Sequence, residues 1–300
     1  MSTFVEIYRT LKKIESYTVP KLEKHERLSD HLPGKFETII SKKGMKKAIE
    51  KRLVKINGKV GHTADYVIGG EVIELYQSKP KEHTTTIELE LEVLYEDEFL
   101  AVVNKPAGIV VSGNKKWKLE NAFNSNLKIS GEKDALTRAE PIHRLDLPTS
   151  GALLCGKTHK VVMTLNKLFE EKKIDKIYHA VTIGQMESAG NIRNEIKTKV
   201  AVTDYKVLKS LESEKFEFLN LVELKPSTGR RHQLRIHMLE LKNPILGDAK
   251  YSLQDKILKG KGLYLHASSL EFVHPVTREN LKVSAKLPKK FIKLFPEAES

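Results

Sequence analysis

Apolar and polar residues alternate in many short stretches of the chain, and a period of two is typical of β-strands with one buried face. The first clear run places Ile87, Leu89, Leu91 and Val93 between glutamates. Similar runs predict strands at 99–103, 109–111, 152–155, 177–183, 205–211, 216–225, 263–272 and 281–287. Apolar residues at helical spacing predict helices at 119–127, 161–169 and 230–241. Together these elements predict an α+β domain with a central mixed, mainly antiparallel sheet flanked by helices and loops.

A second pattern predicts a small α/β domain over residues 24–76. Apolar residues recur at helical spacing from Met45 to Leu53, and Asn57-Gly58 is a strong signal for a hairpin turn. Eight basic residues and one acidic residue lie between positions 42 and 59. Charge runs are often solvated surface, but this one-signed run favours contacts with nucleic-acid phosphates, which we assign to Lys43, Lys46 and Lys47.

The segments between these patterns set the predicted domain boundaries. Residues 77–86 are polar, contain a proline and lack periodicity, so they are predicted to be a linker. Residues 1–23 are treated as an N-terminal extension without an assigned function. The predicted organisation is therefore an extension at 1–23, a small domain at 24–76, a linker at 77–86 and a larger domain at 87–300.

The amino-acid composition indicates which kinds of partner the protein binds and in which cellular compartment it is expected. The chain has 300 residues, 40% hydrophobic and 30% charged, and 52 Lys and Arg against 39 Asp and Glu give a net charge of +13. Such an excess favours polyanionic partners, with nucleic acid as the first candidate. The apolar runs are too short for a transmembrane helix, no signal peptide is evident, and a single cysteine, Cys155, suits a reducing compartment. We expect a cytoplasmic protein that does not bind membranes.

The stretch from Pro141 to Gly151 carries the strongest candidate chemistry. It holds His143-Arg144-Leu145-Asp146 and then a Pro-Thr-Ser-Gly turn before an apolar strand. Loops held by rigid elements often carry catalytic groups, which makes Asp146 a candidate. The alternative is that Asp146 only forms the turn, with Arg144 as its surface partner.

Two further turns offer cations to a substrate. Asn104-Lys105-Pro106-Ala107-Gly108 fixes the direction of Lys105, which either contacts substrate or belongs to a plain strand turn. Pro226-Ser227-Thr228-Gly229 leads into the helix predicted from Arg230, where Ser227 or Thr228 can cap and the free amides, with Arg230 and Arg231, can bind a phosphate. There is no paired-cysteine motif or glycine-rich phosphate loop, so we expect no metal and no cofactor.

Taken in order, these motifs resemble the RluA-like pseudouridine synthases, and the similarity covers residues 88–290. The matching stretches are 104–108, His143-Arg144-Leu145-Asp146, Lys176-Ile177-Tyr178, 226–235, 247–251 and Leu265-His266-Ala267. The resemblance implies the pseudouridine synthase fold, Asp146 as catalytic carboxylate, Tyr178 stacking on the base, and Arg235 as the partner of Asp146. Arg144, beside the aspartate, is expected to fill the space that the base leaves or to bind its phosphate, and RNA contacts are also expected for Lys105, Arg230 and Arg231. Departures occur at Leu147-Pro148 and Ser252.

The small domain is similar to the S4-like RNA-binding domain, on looser matches at 27–32, 54–58 and 67–73. Arg52 stands where that domain commonly has glycine, and Gly70-Glu71 replaces glycine-aspartate. The two resemblances imply an RNA pseudouridine synthase, with ribosomal RNA favoured over transfer RNA and a monomeric state expected. Whether Asp146 acts as nucleophile or base stays open. The alternative function is a non-catalytic RNA-binding or ribosome-assembly factor on the same scaffold.

Overall fold

The chain folds into two units, Met1–Thr84 and Thr85–Ser300. The computed structural model describes residues 11–39, 41–78, 86–253 and 260–299. Of the predicted linker, residues 79–85 lie outside the described residues, as do residues 1–10 of the predicted extension. No helix among the described residues is both long and apolar enough to cross a membrane.

The first unit is a small sheet with two helices. Its elements are β1 (Leu11–Thr18), β2 (Glu26–Arg27), α1 (Leu28–His31), α2 (Lys42–Glu50), β3 (Val54–Ile56), β4 (Lys59–Val60), β5 (Tyr66–Val67) and β6 (Val72–Ser78). The sheet has the order β1-β6-β3-β4, and β2 pairs with β5. Strand β1 pairs antiparallel with β6 along its whole length. Residues 11–18, for which the sequence pattern predicts no element, form an edge strand of this unit.

Helix α2 separates an apolar face from a basic one. Ser41 caps its start by accepting a hydrogen bond from the Gly44 amide. Met45, Ala48 and Ile49 are buried against the sheet, and Lys43, Lys46 and Lys47 are exposed. Burial of the apolar stripe therefore leaves the lysines in solvent.

The second unit contains the larger sheet. Its strands are β7 (Glu92–Glu96), β8 (Leu100–Lys105), β9 (Ala135–Pro141), β10 (Ser150–Thr158), β11 (Asp175–Ile183), β12 (Ala189–Ile196), β13 (Lys199–Ser213), β14 (Glu217–Pro226), β15 (Leu265–Val273) and β16 (Asn280–Ser284). They form one sheet in the order β12-β13-β14-β11-β15-β10-β8-β7, with β9 paired to β10 and β16 to β15. The β10–β15 pair is parallel and the others are antiparallel. The predicted α+β class with a mixed, mainly antiparallel sheet is confirmed.

Short helices and apolar clusters flank this sheet. The helices are α3 (Phe123–Asn126), α4 (His159–Glu170), α5 (Gln233–Glu240) and α6 (Lys289–Ile292), with 3-10 turns at Leu119–Ala122 and Pro296–Glu299. Alternate residues of the central strands enter different clusters. Leu153 packs with the cluster around Phe123, and Leu154 packs with the cluster around Leu165. A central strand buried on both faces provides a rigid base for the loop that precedes it.

Three predicted elements differ from the observed ones. Residues 86–91 are not a strand, since the Ile87 amide bonds to Asn121 O and the Leu91 amide to Asn126 Oδ1. Residues 109–111 form only an isolated bridge between Val110 and Lys118. The helix predicted from Arg230 begins at Gln233, after His232 in a left-handed conformation. Strands β9 and β12 were not predicted.

Candidate active site

Asp146 lies on the loop between β9 and β10. The Thr149 amide bonds to Asp146 O at 3.0 Å and closes the turn, and the Gly108 amide bonds to Leu147 O at 2.8 Å. The two motif loops are therefore joined through their backbones. The Asp146 side chain is 17% exposed, so it is shielded but still accessible to a ligand.

Lys105 stabilises this loop by donating hydrogen bonds to its backbone. Its side chain has no exposed surface, and Nζ donates to Thr149 O at 2.7 Å, Pro106 O at 2.9 Å and Leu147 O at 3.4 Å. Burial lowers the pKa of Lys105 to about 8, and the Asp146 carboxylate opposes this shift. The prediction that Lys105 contacts RNA is wrong, because its ammonium group is enclosed by the backbone that presents Asp146.

His143 is also structural. Its Nε2 accepts a hydrogen bond from the Leu154 amide at 3.0 Å, and its ring stacks on Phe169 with centroids 4.9 Å apart. Burial lowers its pKa to about 3, so it stays neutral. Within the His-Arg-Leu-Asp motif, the histidine anchors one end of the loop and the aspartate faces the cavity.

Arg235 links Asp146 to a second carboxylate. Its Nη1 lies 3.5 Å from Asp146 Oδ2, while Nε and Nη2 donate to the two oxygens of Asp248 at 2.7 Å each. The Lys250 and Tyr251 amides also donate to Asp248 Oδ1, at 2.9 Å. Burial would raise the pKa of Asp248, but these donors outweigh it and lower the pKa. The bidentate pair therefore fixes the guanidinium beside Asp146.

His232 approaches the other oxygen of Asp146. Its Nε2 lies 3.7 Å from Asp146 Oδ1, and its Nδ1 is 2.9 Å from the Tyr251 hydroxyl. The Arg235 guanidinium in turn lies over the Tyr251 ring, with Arg235 Cζ 4.9 Å from the ring centroid. Burial lowers the pKa of His232, so the imidazole is neutral at pH 7.

Tyr178 comes from β11, in the centre of the sheet. It pairs with Leu224 of β14 and Ala267 of β15, and its side chain contributes to the wall of the Asp146 cavity. Burial raises the pKa of Tyr178, and Asp146 adds to the shift. The ring is therefore a neutral, apolar surface beside the carboxylate.

A cavity of about 310 Å³ brings these groups together. Asp146, Tyr178 and Arg235 line it, as the motifs predicted, together with Arg144, Arg230, Arg231 and His232. This volume is at the lower end of the roughly 300–1,000 Å³ of small-molecule sites and suits a single nucleotide. The exposed side chains of Arg144 and Arg231 lie at the rim, where an RNA phosphate can reach them.

The predicted anion site at the start of α5 is wrong in its details. Arg230 and Arg231 precede the helix, and no side chain caps it. Instead, Gln233 Oε1 accepts from the Arg230 amide and the Thr228 hydroxyl, and Arg230 Nε donates to Val200 O. The Arg230 amide is therefore already bonded and is not free to bind a phosphate.

Asp248, His232 and Tyr251 were not identified as site residues from the sequence. Their signals were present: Asp248 and Tyr251 lie in the 247–251 motif, and His232 lies between Arg231 and Arg235. No group of three or more His, Cys, Asp or Glu side chains suited to a metal occurs in the part of the chain that the structure describes. Lys43, Lys46 and Lys47 lie on helix α2 of the first unit.

The chain is similar to known proteins in both sequence and fold. Residues 99–240 match the sequence profile of the family described as RNA pseudouridylate synthase. The tRNA pseudouridine synthase C of Vibrio parahaemolyticus is 35% identical, covering 70% of this chain and 96% of that protein. The ribosomal large subunit pseudouridine synthase D of Xylella fastidiosa is 33% identical, covering 81% of this chain and 80% of that protein. The solved structure of human RNA pseudouridylate synthase domain containing 4 is 28% identical, with a TM-score of 0.56 over 69% of this chain and 92% of that chain.

Proposed function

The chain belongs to the RNA pseudouridylate synthase family, and we propose that it isomerises uridines of large-subunit ribosomal RNA with Asp146 as its catalytic carboxylate. As an RNA pseudouridine synthase it is an isomerase. The reaction breaks the bond between ribose C1′ and base N1, rotates the base and joins C1′ to C5. The C5 proton is lost and N1 gains one, so no atom is added.

The observation that supports Asp146 is its place in the cavity. The Asp146 carboxylate is 17% exposed and lines the same cavity as Tyr178. It lies beside the Arg235 guanidinium, which Asp248 binds through two hydrogen bonds. In this proposal Asp146 acts at the sugar or base, as nucleophile or as general base. Tyr178 stacks on the base, and Arg235 orients Asp146. The uridine must leave its stack, at a cost of a few kcal/mol, which aromatic stacking worth about 1–3 kcal/mol offsets.

The share of the chain that matches a ribosomal large subunit synthase supports ribosomal RNA as the substrate. The match to the ribosomal large subunit synthase of Xylella fastidiosa covers 81% of the chain, which is more than the unit Thr85–Ser300 contains, so it extends into the first unit. That unit carries the exposed Lys43, Lys46 and Lys47, and we propose that it is an S4-like domain that binds RNA phosphates. The proposal includes a cytoplasmic location and a monomeric state, and light scattering of the purified protein would test the monomeric state.

The test compares Asp146→Asn with wild type on RNA from a strain that lacks this protein. Large-subunit ribosomal RNA and transfer RNA are incubated separately, and pseudouridine is mapped. We expect wild type to modify ribosomal RNA at defined uridines, and Asp146→Asn to form no product while binding the RNA normally. The exposed Asp204 provides a matched control, since Asp204→Asn makes the same change outside the cavity.

Each other outcome has a clear meaning. Product on transfer RNA alone would overturn the substrate assignment but keep the chemistry. Full activity of Asp146→Asn would overturn the catalytic assignment. RNA binding without product from wild type on either RNA would favour the non-catalytic ribosome-assembly factor instead.

A further inference from the structure

His232 and Arg235 lie at different oxygens of the Asp146 carboxylate. His232 Nε2 is 3.7 Å from Oδ1, and Arg235 Nη1 is 3.5 Å from Oδ2. Both distances exceed those of formed hydrogen bonds, and catalytic hydrogen bonds often tighten only when substrate is present. A shift of less than 1 Å at each oxygen would bring the carboxylate into bonding distance of both side chains.

The contacts with Asp146 and Tyr251 together favour the tautomer of His232 with its proton on Nε2. The imidazole is neutral, because burial lowers its pKa and the nearby cations Arg231, Arg235 and Lys250 act in the same direction, against Asp146. A lone pair on Nε2 would face a carboxylate and repel it. When Tyr251 donates its hydroxyl proton to Nδ1, at 2.9 Å, Nε2 carries the proton and faces Asp146 as a donor.

The backbone at position 232 does not by itself require a histidine. Its φ is 59°, in the left-handed region, where glycine, asparagine and aspartate fit as well as histidine does. The neighbouring Gln233 and Arg235 begin helix α5, and no side chain of residue 232 caps that helix. The imidazole is therefore not required by the backbone, and its contacts are with Tyr251 and Asp146.

We propose that His232 is a positioning residue for Asp146: presented by Tyr251, its Nε2–H donates to Oδ1 while Arg235 binds Oδ2. The carboxylate is then fixed in rotation, with its remaining lone pairs directed to the bound nucleotide. This role rests on the proposed function, because it requires Asp146 to be the catalytic group.

Three substitutions separate this role from a backbone role. In His232→Gln the side-chain amide nitrogen lies near the place of Nε2 and can donate to Asp146. In His232→Asn it lies near the place of Nδ1, too far from Asp146, but asparagine suits the left-handed backbone as well as histidine does. His232→Met fills similar space without a donor. Single-turnover rates at saturating RNA, dissociation constants for RNA and thermal unfolding are measured for each.

We expect His232→Met and His232→Asn to lower the single-turnover rate roughly 10- to 100-fold, the effect of losing one hydrogen bond to a charged group. The dissociation constant for RNA should be little changed, and His232→Gln should recover most of the rate. Tyr251→Phe alone should lower the single-turnover rate, but adding it to His232→Met should lower the rate no further. Both substitutions remove the same hydrogen bond, the one from His232 Nε2–H to Asp146.

Several results would overturn the proposal. One is a wild-type rate in folded His232→Met, and another is recovery by His232→Asn but not by His232→Gln, which would indicate a backbone role. Asp146→Asn is measured alongside these variants. If Asp146→Asn is inactive and His232→Met is fully active, only the role of His232 fails, whereas an active Asp146→Asn means that the proposed function fails.

Discussion

Lys105 is completely buried, and its ammonium group is compensated by backbone carbonyl oxygens rather than by a carboxylate. Burial lowers its pKa to about 8, from the ordinary lysine value of 10.5. Between these values the unfolded chain binds more protons at this position than the folded chain does. The contribution of Lys105 to the free energy of unfolding therefore rises with pH through this interval.

We predict that the free energy of unfolding of wild type, minus that of Lys105→Met, increases by at most about 3 kcal/mol between pH 7.5 and pH 10.5. Denaturation with urea at a series of pH values measures it, and the subtraction removes the titration of other groups. A difference that is flat or decreases with pH would mean that the ammonium group is not buried in the folded protein.

Asp248 holds the Arg235 guanidinium through two hydrogen bonds, and both side chains are almost fully buried. Asp248→Asn removes the charge and one acceptor, which leaves a buried cation poorly paired. Breaking a buried pair in this way typically costs roughly 3–5 kcal/mol of stability. We also expect a lower single-turnover rate, because Arg235 is no longer fixed beside Asp146.

Urea denaturation and rate measurements test Asp248→Asn, with Asp204→Asn as the control for the same change at an exposed site. Unchanged stability together with an unchanged rate would show that Asp248 does not position Arg235.

The resemblance to the RluA-like pseudouridine synthases pointed to Asp146, Tyr178 and Arg235, which the structure brings into one cavity. It could not identify Asp248 as the bidentate partner of Arg235, because the two residues meet only through the loop that follows α5. The direction of Lys105 was also beyond the sequence. A lysine in a turn is usually exposed, and only the packing of the two motif loops encloses this one.

Among the elements, the pairing of β10 with β15 brings Gly151 very close to Ala267. A Cβ at position 151 would lie 2.2 Å from Ala267 O, and the φ of Gly151 is +116°. Gly151→Ala therefore forces the two strands apart beside the Asp146 loop and strains the backbone. We predict a loss of roughly 3 kcal/mol or more in the free energy of unfolding, measured by urea denaturation.

Gly131 provides the control for this prediction. A Cβ there would meet only Glu98 Oε2, at 3.7 Å, and the backbone is not left-handed. Gly131→Ala should leave stability nearly unchanged. Equal stability of Gly151→Ala and Gly131→Ala would contradict the close approach of β10 and β15.

Long alternating runs predicted strands well, as at β11 and β14, because each of these strands is long and continuous in sequence. Residues 87–93 show what alternation cannot decide. Ile87 and Leu91 are buried as the pattern requires, yet their amides bond to Asn121 and Asn126 rather than to a strand. Alternation of apolar residues therefore predicts which residues are buried. Strand pairing depends instead on residues far apart in the sequence, as in the pairing of β10 with β15.

At the scale of the whole molecule, the net charge of +13 is unevenly distributed. In the first unit, α2 exposes Lys43, Lys46 and Lys47 on the face away from its apolar stripe. In the second unit, exposed arginines lie at the rim of the active-site cavity. In the proposed function, phosphate contacts from both units add to the affinity for RNA, and the cavity of the second unit is the place of the isomerisation.

This division predicts that replacing Lys43, Lys46 and Lys47 by glutamine weakens RNA binding without lowering the single-turnover rate at saturating RNA. Each lost phosphate contact should flatten the dependence of log K on log salt concentration by up to roughly 0.7–0.9. The matched control replaces the exposed Lys282, Lys286 and Lys289, which do not line the active-site cavity, and so makes the same change in charge. Binding titrations at several salt concentrations measure both. If both triple variants lower the salt dependence of log K equally, net charge rather than the lysines of α2 determines RNA binding. If replacing Lys43, Lys46 and Lys47 leaves the salt dependence unchanged, the first unit binds something other than RNA.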